Sequence, residues 1–460
     1  MSTSDKPHPV DEWLPLRWSL PLGFQQLLAA YASIIIAPLV LAAALDWPQE
    51  QTTFLIGAGL FGSGVATLIQ CLGIGGGIGT RLPVVQGTTV AVIPPLIAIG
   101  ADGDITAMFG GTIVGGAVCL LLAGSWSRLL RFFPPLVTGT VITVIGVSLM
   151  PVAVMWLSGG RGFGAQDTSV SEIALGLGTL LLVLLVMRLG SDFFSRIAIL
   201  VGLVAGSTAG ALMGMSDFSG VGTASWFSIP FPFAFGPPTF TVAACAAMTV
   251  TMLVTMVEST GDYLAVGEVC QQDVDERRLA AGLRAEGLGT MLGGIFNAFP
   301  FTTFSQSIGV IRVSGVLSRY VVAITGVMLV ALSLTPKIAA VVANIPMPVL
   351  GGCGLVLFGS IAATGIQTLR KVDFEHPGNV LVVGVSLGSA MLVVANPIYF
   401  SALPKAVADI LNNPITLGAV SAVTLNLVFG NSEPAPGSRE AQADAPPPPR
   451  ETDLPVSGDT

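Results

Sequence analysis

The sequence predicts an all-α membrane protein with fourteen transmembrane segments, and three observations lead to this prediction. The 460-residue chain is 52% hydrophobic and only 10% charged, with a mean hydropathy of +0.81, whereas soluble proteins carry about 25% charged residues. Apolar stretches that match the roughly 20 residues of one membrane crossing follow one another from about residue 20 to about residue 430. Lysine and arginine residues are concentrated in every second connection between these stretches. No room is left for a sizeable soluble domain.

The apolar segments form two series of seven. The first series covers approximately residues 20–45, 53–75, 84–99, 105–125, 134–157, 172–190 and 196–215. The second covers approximately residues 239–267, 279–298, 302–317, 318–336, 339–366, 377–396 and 411–430. Because seven is an odd number, a second copy of the unit would be inserted upside down relative to the first. The pattern therefore predicts two inverted seven-segment repeats.

Positive residues beside the segments predict the orientation. Lysine and arginine flanking membrane helices are retained on the cytoplasmic side. With both termini in the cytoplasm, the inner loops hold Arg81, Arg128, Arg131, Arg188, Arg196, Arg277, Arg278, Arg284, Arg319, Arg370 and Lys371, and the outer loops hold only Arg161, Lys337 and Lys405. This asymmetry supports an even number of spans with both termini inside.

The two ends of the chain are polar. Residues 1–18 mix acidic and basic side chains and lead into an apolar run without a cleavage pattern, so we expect a cytoplasmic N-terminus without a cleaved signal peptide. Residues 431–460 are acidic, contain the run Pro446–Pro449 and have almost no bulky apolar residue, which predicts a disordered cytoplasmic tail. Because this tail carries part of the net charge of −8, that charge says little about a binding partner.

Motifs for metal, cofactor or nucleophilic chemistry are not evident. The five cysteines are scattered singly, and the chain has only two histidines. No pairing of a nucleophile with a base and no cofactor signature is present. We therefore expect neither an enzyme nor a resident cofactor.

The third segment of each series is interrupted. Val85–Thr89 is followed by the pair Pro94–Pro95, and Ser305–Gly309 is preceded by Pro300. Matching interruptions are typical of transporter sites, because the N-termini of half-helices present unpaired N–H groups to the cargo. The alternative is that glycine and proline merely assist helix packing. We expect short, broken third and tenth segments that meet near the midplane.

Two carboxylates in the eighth segment carry the strongest chemical signal. Glu258 and Asp262 lie four residues apart, on one face of a helix. An ionisable residue at membrane depth costs about 2.5 to 3.5 kcal/mol, so two of them imply a polar surface or a function. Like charges at this spacing repel, so one of the pair can hold a proton, as a proton-coupled carrier requires. The alternative is a pair held by neighbouring hydroxyls, or one that lines water without touching cargo.

A third carboxylate, Glu286, stands at the start of the ninth segment, two residues after Arg284. The spacing leaves two interpretations open. Glu286 is either buried in the membrane domain or an interfacial residue near Arg284.

The order of these motifs resembles the nucleobase-ascorbate transporter family, which includes bacterial uracil and xanthine permeases. The resemblance covers nearly all of residues 20–430, and its specific parts are Gly23–Gln26, Glu258–Asp262, Phe296–Gln306 and the signature Gln306–Gly315. It implies a homodimer of chains that each comprise a core and a gate domain. The implied division is a cytoplasmic N-terminus (1–18), core (19–126 and 239–337), gate (127–238 and 338–430) and tail (431–460).

The resemblance also assigns site residues. It implies that Glu258 binds the base and that Gln306 makes the second side-chain contact. The physical chemistry agrees, because a carboxylate accepts two hydrogen bonds from the edge of a base, whereas an amide both donates and accepts. The remaining substrate-site candidates are Gln86, Ser307, Phe304 and Gln26, and the proton-coupling candidates are Asp262 and Glu286.

Gln306 favours a purine as the cargo. Uracil members of the family have glutamate at this position, whereas xanthine and urate members have glutamine. Ser307 for the usual asparagine, Ser314 for threonine and Gln26 where many bacterial xanthine members have histidine leave the base itself open.

We therefore expect a proton-coupled purine (xanthine or urate) symporter of the inner membrane, working as an elevator. Its partners would be a small-molecule nucleobase, the lipid bilayer and a second copy of the chain, and not nucleic acid. One alternative is a uracil or other pyrimidine permease of the same family. Another is an anion transporter of the related sulfate and bicarbonate class, although an anion site should have a positive centre rather than the carboxylates Glu258 and Asp262.

Overall fold

The structure is a computed structural model that describes residues 8–101, 103–160, 168–216, 221–222, 224–404, 407–408 and 411–429. The predicted disordered tail, residues 431–460, lies outside the described residues, as do Arg161 and Lys405. The side chains of Arg131, Ser305, Gln306 and Val313 are likewise outside the description.

Helices dominate the described part of the chain. The first half contains α1 (Leu16–Ala44), α2 (Gln49–Leu72), α3 (Ile93–Ala101), α4 (Ile105–Leu122), α5 (Trp126–Leu129), α6 (Pro135–Leu157), α7 (Val170–Leu189), α8 (Asp192–Arg196) and α9 (Ala198–Leu212). The second half contains α10 (Val242–Cys270), α11 (Glu276–Ile295), α12 (Ser305–Ser314), α13 (Arg319–Ser333), α14 (Pro336–Ala343), α15 (Met347–Leu369), α16 (Pro377–Ala395) and α17 (Pro414–Phe429). Two strands accompany them, β1 (Gln86–Thr88) and β2 (Phe301–Thr303).

Eight spans in the described residues are helical, long and apolar enough to cross a membrane. They are α1, α2, Ile105–Leu129 (α4 continued through α5), α6, α7, α10, α15 and α16. The protein is therefore an integral membrane protein of the all-helical class. The predicted count of fourteen segments goes beyond these eight and stays a prediction.

The predicted twelfth segment, residues 339–366, is wrong at its start. Helix α14 ends at Ala343, α15 begins at Met347, and α14 is bent by 81° from α13. The prolines at 346 and 348 explain the break, because proline lacks an N–H donor and disfavours helical backbone in the residue before it. Residues 336–343 therefore pack on α2 instead of joining α15.

Both interrupted segments begin with a strand, which hydropathy did not predict. β1 pairs with β2 in antiparallel register, with Gln86 opposite Thr303 and Thr88 opposite Phe301. The N–H of Thr89 donates to the carbonyl of Pro300 at 3.0 Å, which extends the pairing. Backbone groups in a membrane interior must be satisfied within the protein. The two unwound stretches satisfy each other and so lie side by side.

Glycines allow the surrounding helices to approach closely. At Gly116 of α4 and Gly287 of α11, a Cβ atom on either residue would lie 2.7 Å from the carbonyl oxygen of the other. Gly64 and Gly326 face each other in the same way between α2 and α13. Small residues at such contacts let membrane helices pack backbone to backbone. These contacts hold the helices close together beside the paired strands.

Polar caps set the starts of the two helices that carry the acidic residues. The Thr241 hydroxyl accepts a hydrogen bond from the N–H of Ala244 at the start of α10, and the Asp275 carboxylate accepts one from Arg278 at the start of α11. Side-chain oxygens at this position satisfy N–H groups that have no partner within the helix. The caps thereby stabilise the starts of the helices that carry Glu258 and Glu286.

Candidate functional site

The candidate site is built on the β1–β2 pair, and α10 packs against β2 and α12. The hydroxyl of Ser259 on α10 lies 3.1 Å from the Thr302 hydroxyl of β2. Glu258 precedes Ser259, and its side chain is partly exposed. Among the described residues, none donates a hydrogen bond to its carboxylate. Glu258 is therefore an available acceptor beside the paired strands.

Gln86 is the most firmly held of the substrate-site candidates. Its backbone N–H donates to the Thr67 hydroxyl of α2 at 2.9 Å. Its side-chain Nε2 donates to the Thr303 hydroxyl at 3.0 Å and to the Tyr263 hydroxyl at 3.4 Å. This fully buried amide is thus fixed by groups from α2, β2 and α10.

Phe304 lies against β1. It directly precedes α12, and its N–H donates to the carbonyl of Val85 at 3.1 Å. Its buried ring occupies the space beside Gly87, where a Cβ would lie 2.2 Å from a ring carbon, and beside Ile34 of α1. The absence of a side chain at Gly87 therefore makes room for the aromatic ring.

Three substrate-site candidates carry buried oxygen atoms without a hydrogen-bond partner among the described residues: Gln26 Oε1, Gln86 Oε1 and Ser307 Oγ. Their residues are only 4%, 0% and 2% exposed. An unsatisfied buried polar group costs about 1 to 3 kcal/mol. The helices and strands that carry them pack on one another, since α1 contacts both β1 and α12. Such a set of atoms suits a polar ligand.

Glu286 is buried, which decides between the two interpretations of its position. Its Oε2 accepts a hydrogen bond from the Tyr263 hydroxyl at 3.2 Å. Arg284 donates instead to the carbonyl of Gly77 at 3.2 Å. Glu258 and Asp262 lie close enough to Glu286 to repel its charge. The three predicted carboxylates therefore belong to one electrostatic cluster between α10 and α11.

Gln306 belongs to the first turn of α12, directly before Ser307. Its side chain lies outside the described part of the structure, so its predicted contact with a base stays a prediction. The backbone alone places the residue beside the β1–β2 pair.

The residue-level predictions omitted the polar groups that connect the candidates to one another. Tyr263 directly follows the Glu258–Asp262 motif, and the sequence predicted no role for it or for Gln70, Thr67 and Thr303. A signal was available for Gln70, because an amide in the apolar run of α2 requires a partner. Its partner Tyr263 is 193 residues away in the chain, and spacing along a single helix does not reveal such a pair.

Comparison with known proteins identifies similar chains. A model described as Permease family matches residues 17–399. Uric acid permease PucK of Bacillus subtilis (strain 168) is 41% identical over 413 residues, which cover 90% of this chain and 96% of that protein. The Xanthine permease of the same organism is 39% identical over 416 residues, covering 89% of this chain and 93% of that protein.

A solved structure shares the fold at low sequence identity. The transmembrane domain of a cyanobacterium bicarbonate transporter, BicA, aligns with a TM-score of 0.60 at 15% identity, covering 89% of this chain and 100% of that one. At this identity the likeness concerns the fold alone.

Proposed function

Because the chain belongs to the nucleobase-ascorbate transporter family, we propose that it carries a purine base such as xanthine or urate across the membrane together with a proton. One observation carries the proposal: Gln86, Phe304 and Ser307 lie at the β1–β2 pair, beside the part of α10 that contains Glu258. The buried side-chain oxygens of Gln86 and Ser307 have no hydrogen-bond partner among the described residues, so a polar ligand could satisfy them. The available Glu258 carboxylate supplies the charged acceptor.

Recognition follows from the chemistry of these groups. The edge of a purine offers adjacent N–H donors and C=O acceptors. The Glu258 carboxylate accepts two N–H groups, and the Gln306 amide donates to a carbonyl and accepts from an N–H. Phe304 supplies an aromatic surface for the flat ring. The buried oxygens of Gln26 and Ser307 complete the polar lining.

The names of the similar proteins support a purine over a pyrimidine, in agreement with glutamine at position 306. The shared fold with a bicarbonate transporter keeps an anion cargo as the competing proposal. The carboxylates Glu258, Asp262 and Glu286 argue against a compact inorganic anion, because their charge repels it and it lacks the several ring N–H donors by which a purine offsets that repulsion.

We also propose fourteen segments in two inverted repeats. The contacts support this arrangement, because segments that pack on each other have counterparts, seven places away in the series, that also pack on each other. The fourth and ninth segments pack as α4 on α11, and the exchanged pair packs as α13 on α2. Likewise α10 packs on α4, and its counterpart α1 packs on α13. The interrupted segments, β1 with β2, map onto each other.

The packing further supports a division into two bodies. Contacts join α1, α2, α4, α10, α11 and α13 in one group, and α6, α7, α9, α15, α16 and α17 in another. In the proposed elevator, the first group is the core that carries Glu258 and the second is the gate. We place the transporter in the inner membrane as a homodimer with both termini in the cytoplasm. Asp262 and Glu286 serve proton coupling.

Uptake by liposomes tests the function. Purified protein in liposomes is expected to take up labelled xanthine or urate, and uptake should be faster under an inward proton gradient than without one. Uptake of uracil alone would replace the purine assignment. Sulfate or bicarbonate flux without uptake of any base would contradict the proposal and favour the anion carrier.

A further inference from the structure

Arg196 packs against α12, the helix of the second interrupted segment. It is the last residue of α8, a short helix that also packs on α7 and α9 of the proposed gate. A Cβ atom built on Gly309 of α12 would overlap Nη1 of Arg196 and would lie 3.3 Å from its Cζ. The guanidinium group therefore occupies the space that the missing side chain of Gly309 leaves. A residue of the gate is thus in direct contact with the part of the core that follows Gln306 and Ser307.

Apolar side chains continue this contact toward α1. Ile197 is buried in one cluster with Ala29 of α1 and Val310 of α12, and Phe193 of α8 packs against the same cluster. Helix α9 also packs on α1. The gate therefore covers a strip of the core, formed by Ala29, Gly309 and Val310, with one charged and several apolar side chains.

This strip lies between the substrate site and the cytoplasm in the proposed orientation. Helix α12 starts beside the β1–β2 pair and ends at Ser314, shortly before Arg319, which belongs to a predicted inner loop. Arg196 belongs to another predicted inner loop. Gly309 lies about one helical turn beyond Ser305, and so it is nearer to the cytoplasm than the start of α12. A base that leaves the site toward the cytoplasm between core and gate has to pass the strip.

The contact made by Arg196 is suited to opening and closing. Its Nε atom is buried and has no hydrogen-bond partner among the described residues. A buried N–H group without a partner destabilises the state that contains it, whereas the same group in water is satisfied. Separation of core and gate loses the packing of the strip but lets water reach Arg196. Because these two effects oppose each other, the contact can break without a large net cost.

We propose that Arg196 closes the cytoplasmic route from the substrate site by packing on Gly309, and that the route opens when the core moves and breaks this contact. The inference rests on the proposed function, because it uses the division into core and gate and the orientation proposed there. It also explains the glycine at position 309, since alanine is the better helix former at an interior position without a positive φ. Arg196 is a positioning residue for the two bodies and does not touch the base.

Replacement of Arg196 by alanine tests the closure through the accessibility of Ala29. Ala29 is 6% exposed in the covered strip, and Ala29→Cys places a thiol there. A membrane-impermeant thiol reagent is added to inside-out and to right-side-out vesicles. Labelling of the five native cysteines is subtracted by means of a protein without Ala29→Cys.

Arg196→Ala should raise labelling from the cytoplasmic side by about fivefold or more, because the labelling rate follows the population of the open state. Labelling from the outer side should not rise. An unchanged rate on the cytoplasmic side would overturn the inference. An equal rise on both sides would overturn it as well, since a general loosening of the protein has that effect.

Gly309→Ala is a second test that leaves Arg196 in the chain. Its methyl group would displace the guanidinium group, so this variant should raise cytoplasmic labelling as much as Arg196→Ala does. The double variant should show no further increase, because both changes break the same contact. Effects that multiply in the double variant would mean that the two residues act separately, which contradicts the inference. If Arg196→Ala does not fold, a wild-type labelling rate in Gly309→Ala decides against it.

Two matched controls and a second reporter complete the experiment. Arg188→Ala removes an exposed arginine from α7, and Gly384→Ala adds a methyl group inside α16 where a Cβ would meet no atom within 4 Å. Both should label at the wild-type rate. Val310→Cys, at a position 2% exposed, replaces Ala29→Cys if that variant does not insert into the membrane. A wild type that takes up no base would contradict the proposed function, whereas the labelling experiment uses no base and still decides the inference.

Discussion

Replacing Glu258 with glutamine is expected to abolish measurable binding of xanthine and urate. The carboxylate offers acceptors only, whereas the amide of glutamine would turn a donor toward one N–H of the base. Hydrogen bonds to charged groups contribute about 1.5 to 3 kcal/mol each, so the loss corresponds to a Kd weaker by about 100-fold or more. Calorimetric titration of the purified variant measures this change.

Glu268→Gln is the matched control for that variant. Glu268 lies on the same helix, α10, and is exposed, so its replacement removes the same charge away from the strands. We expect the Kd of the Glu268→Gln variant to stay within about twofold of the wild type, because the interactions of an exposed charge contribute little free energy. A Glu258→Gln protein with wild-type affinity would remove Glu258 from its assigned role.

Gly87→Ala is expected to reduce xanthine uptake by about tenfold or more. The added methyl group would lie 2.2 Å from the Phe304 ring and 3.0 Å from Ile34. The backbone N–H of Phe304 is held by Val85, so the ring has to leave its place in the site. Overpacking costs about 1 to 3 kcal/mol, which also predicts a lower Tm. Uptake by liposomes and a thermal unfolding curve measure the two effects.

Gly77→Ala is the matched control for Gly87→Ala, because it makes the same replacement at a position away from Phe304. A Cβ at Gly77 would meet no atom within 4 Å, and the residue has no positive φ. We expect wild-type uptake and Tm. If Gly87→Ala also transports at the wild-type rate, the ring of Phe304 does not form part of the substrate site.

The class of protein was predictable because hydropathy depends only on composition along the chain. The limits of the helices were less predictable, and residues 339–366 illustrate why. The stretch is apolar throughout, but the prolines at 346 and 348 divide it into two helices. The strands β1 and β2 were missed because three residues within an apolar run show no alternation. Their stability comes from each other, across more than 200 residues of sequence.

The charged residues of the candidate site were predictable from the sequence. Glu258, Asp262 and Glu286 stand out because ionisable residues are expensive in a membrane. The burial of Glu286 could not be predicted from spacing, because it depends on the packing of α11 against α10, where Tyr263 donates to its carboxylate. Tyr263 carries no charge and reads as a core aromatic residue until the amides of α2 and β1 are placed beside its hydroxyl.

An experimental density map of the protein with bound xanthine tests the central claim most directly. The account predicts a flat ring beside the β1–β2 pair, with an N–H group within hydrogen-bonding distance of the Glu258 carboxylate and the ring face near Phe304. Xanthine bound elsewhere, or a Glu258 carboxylate that faces lipid while the ring is bound, would contradict it.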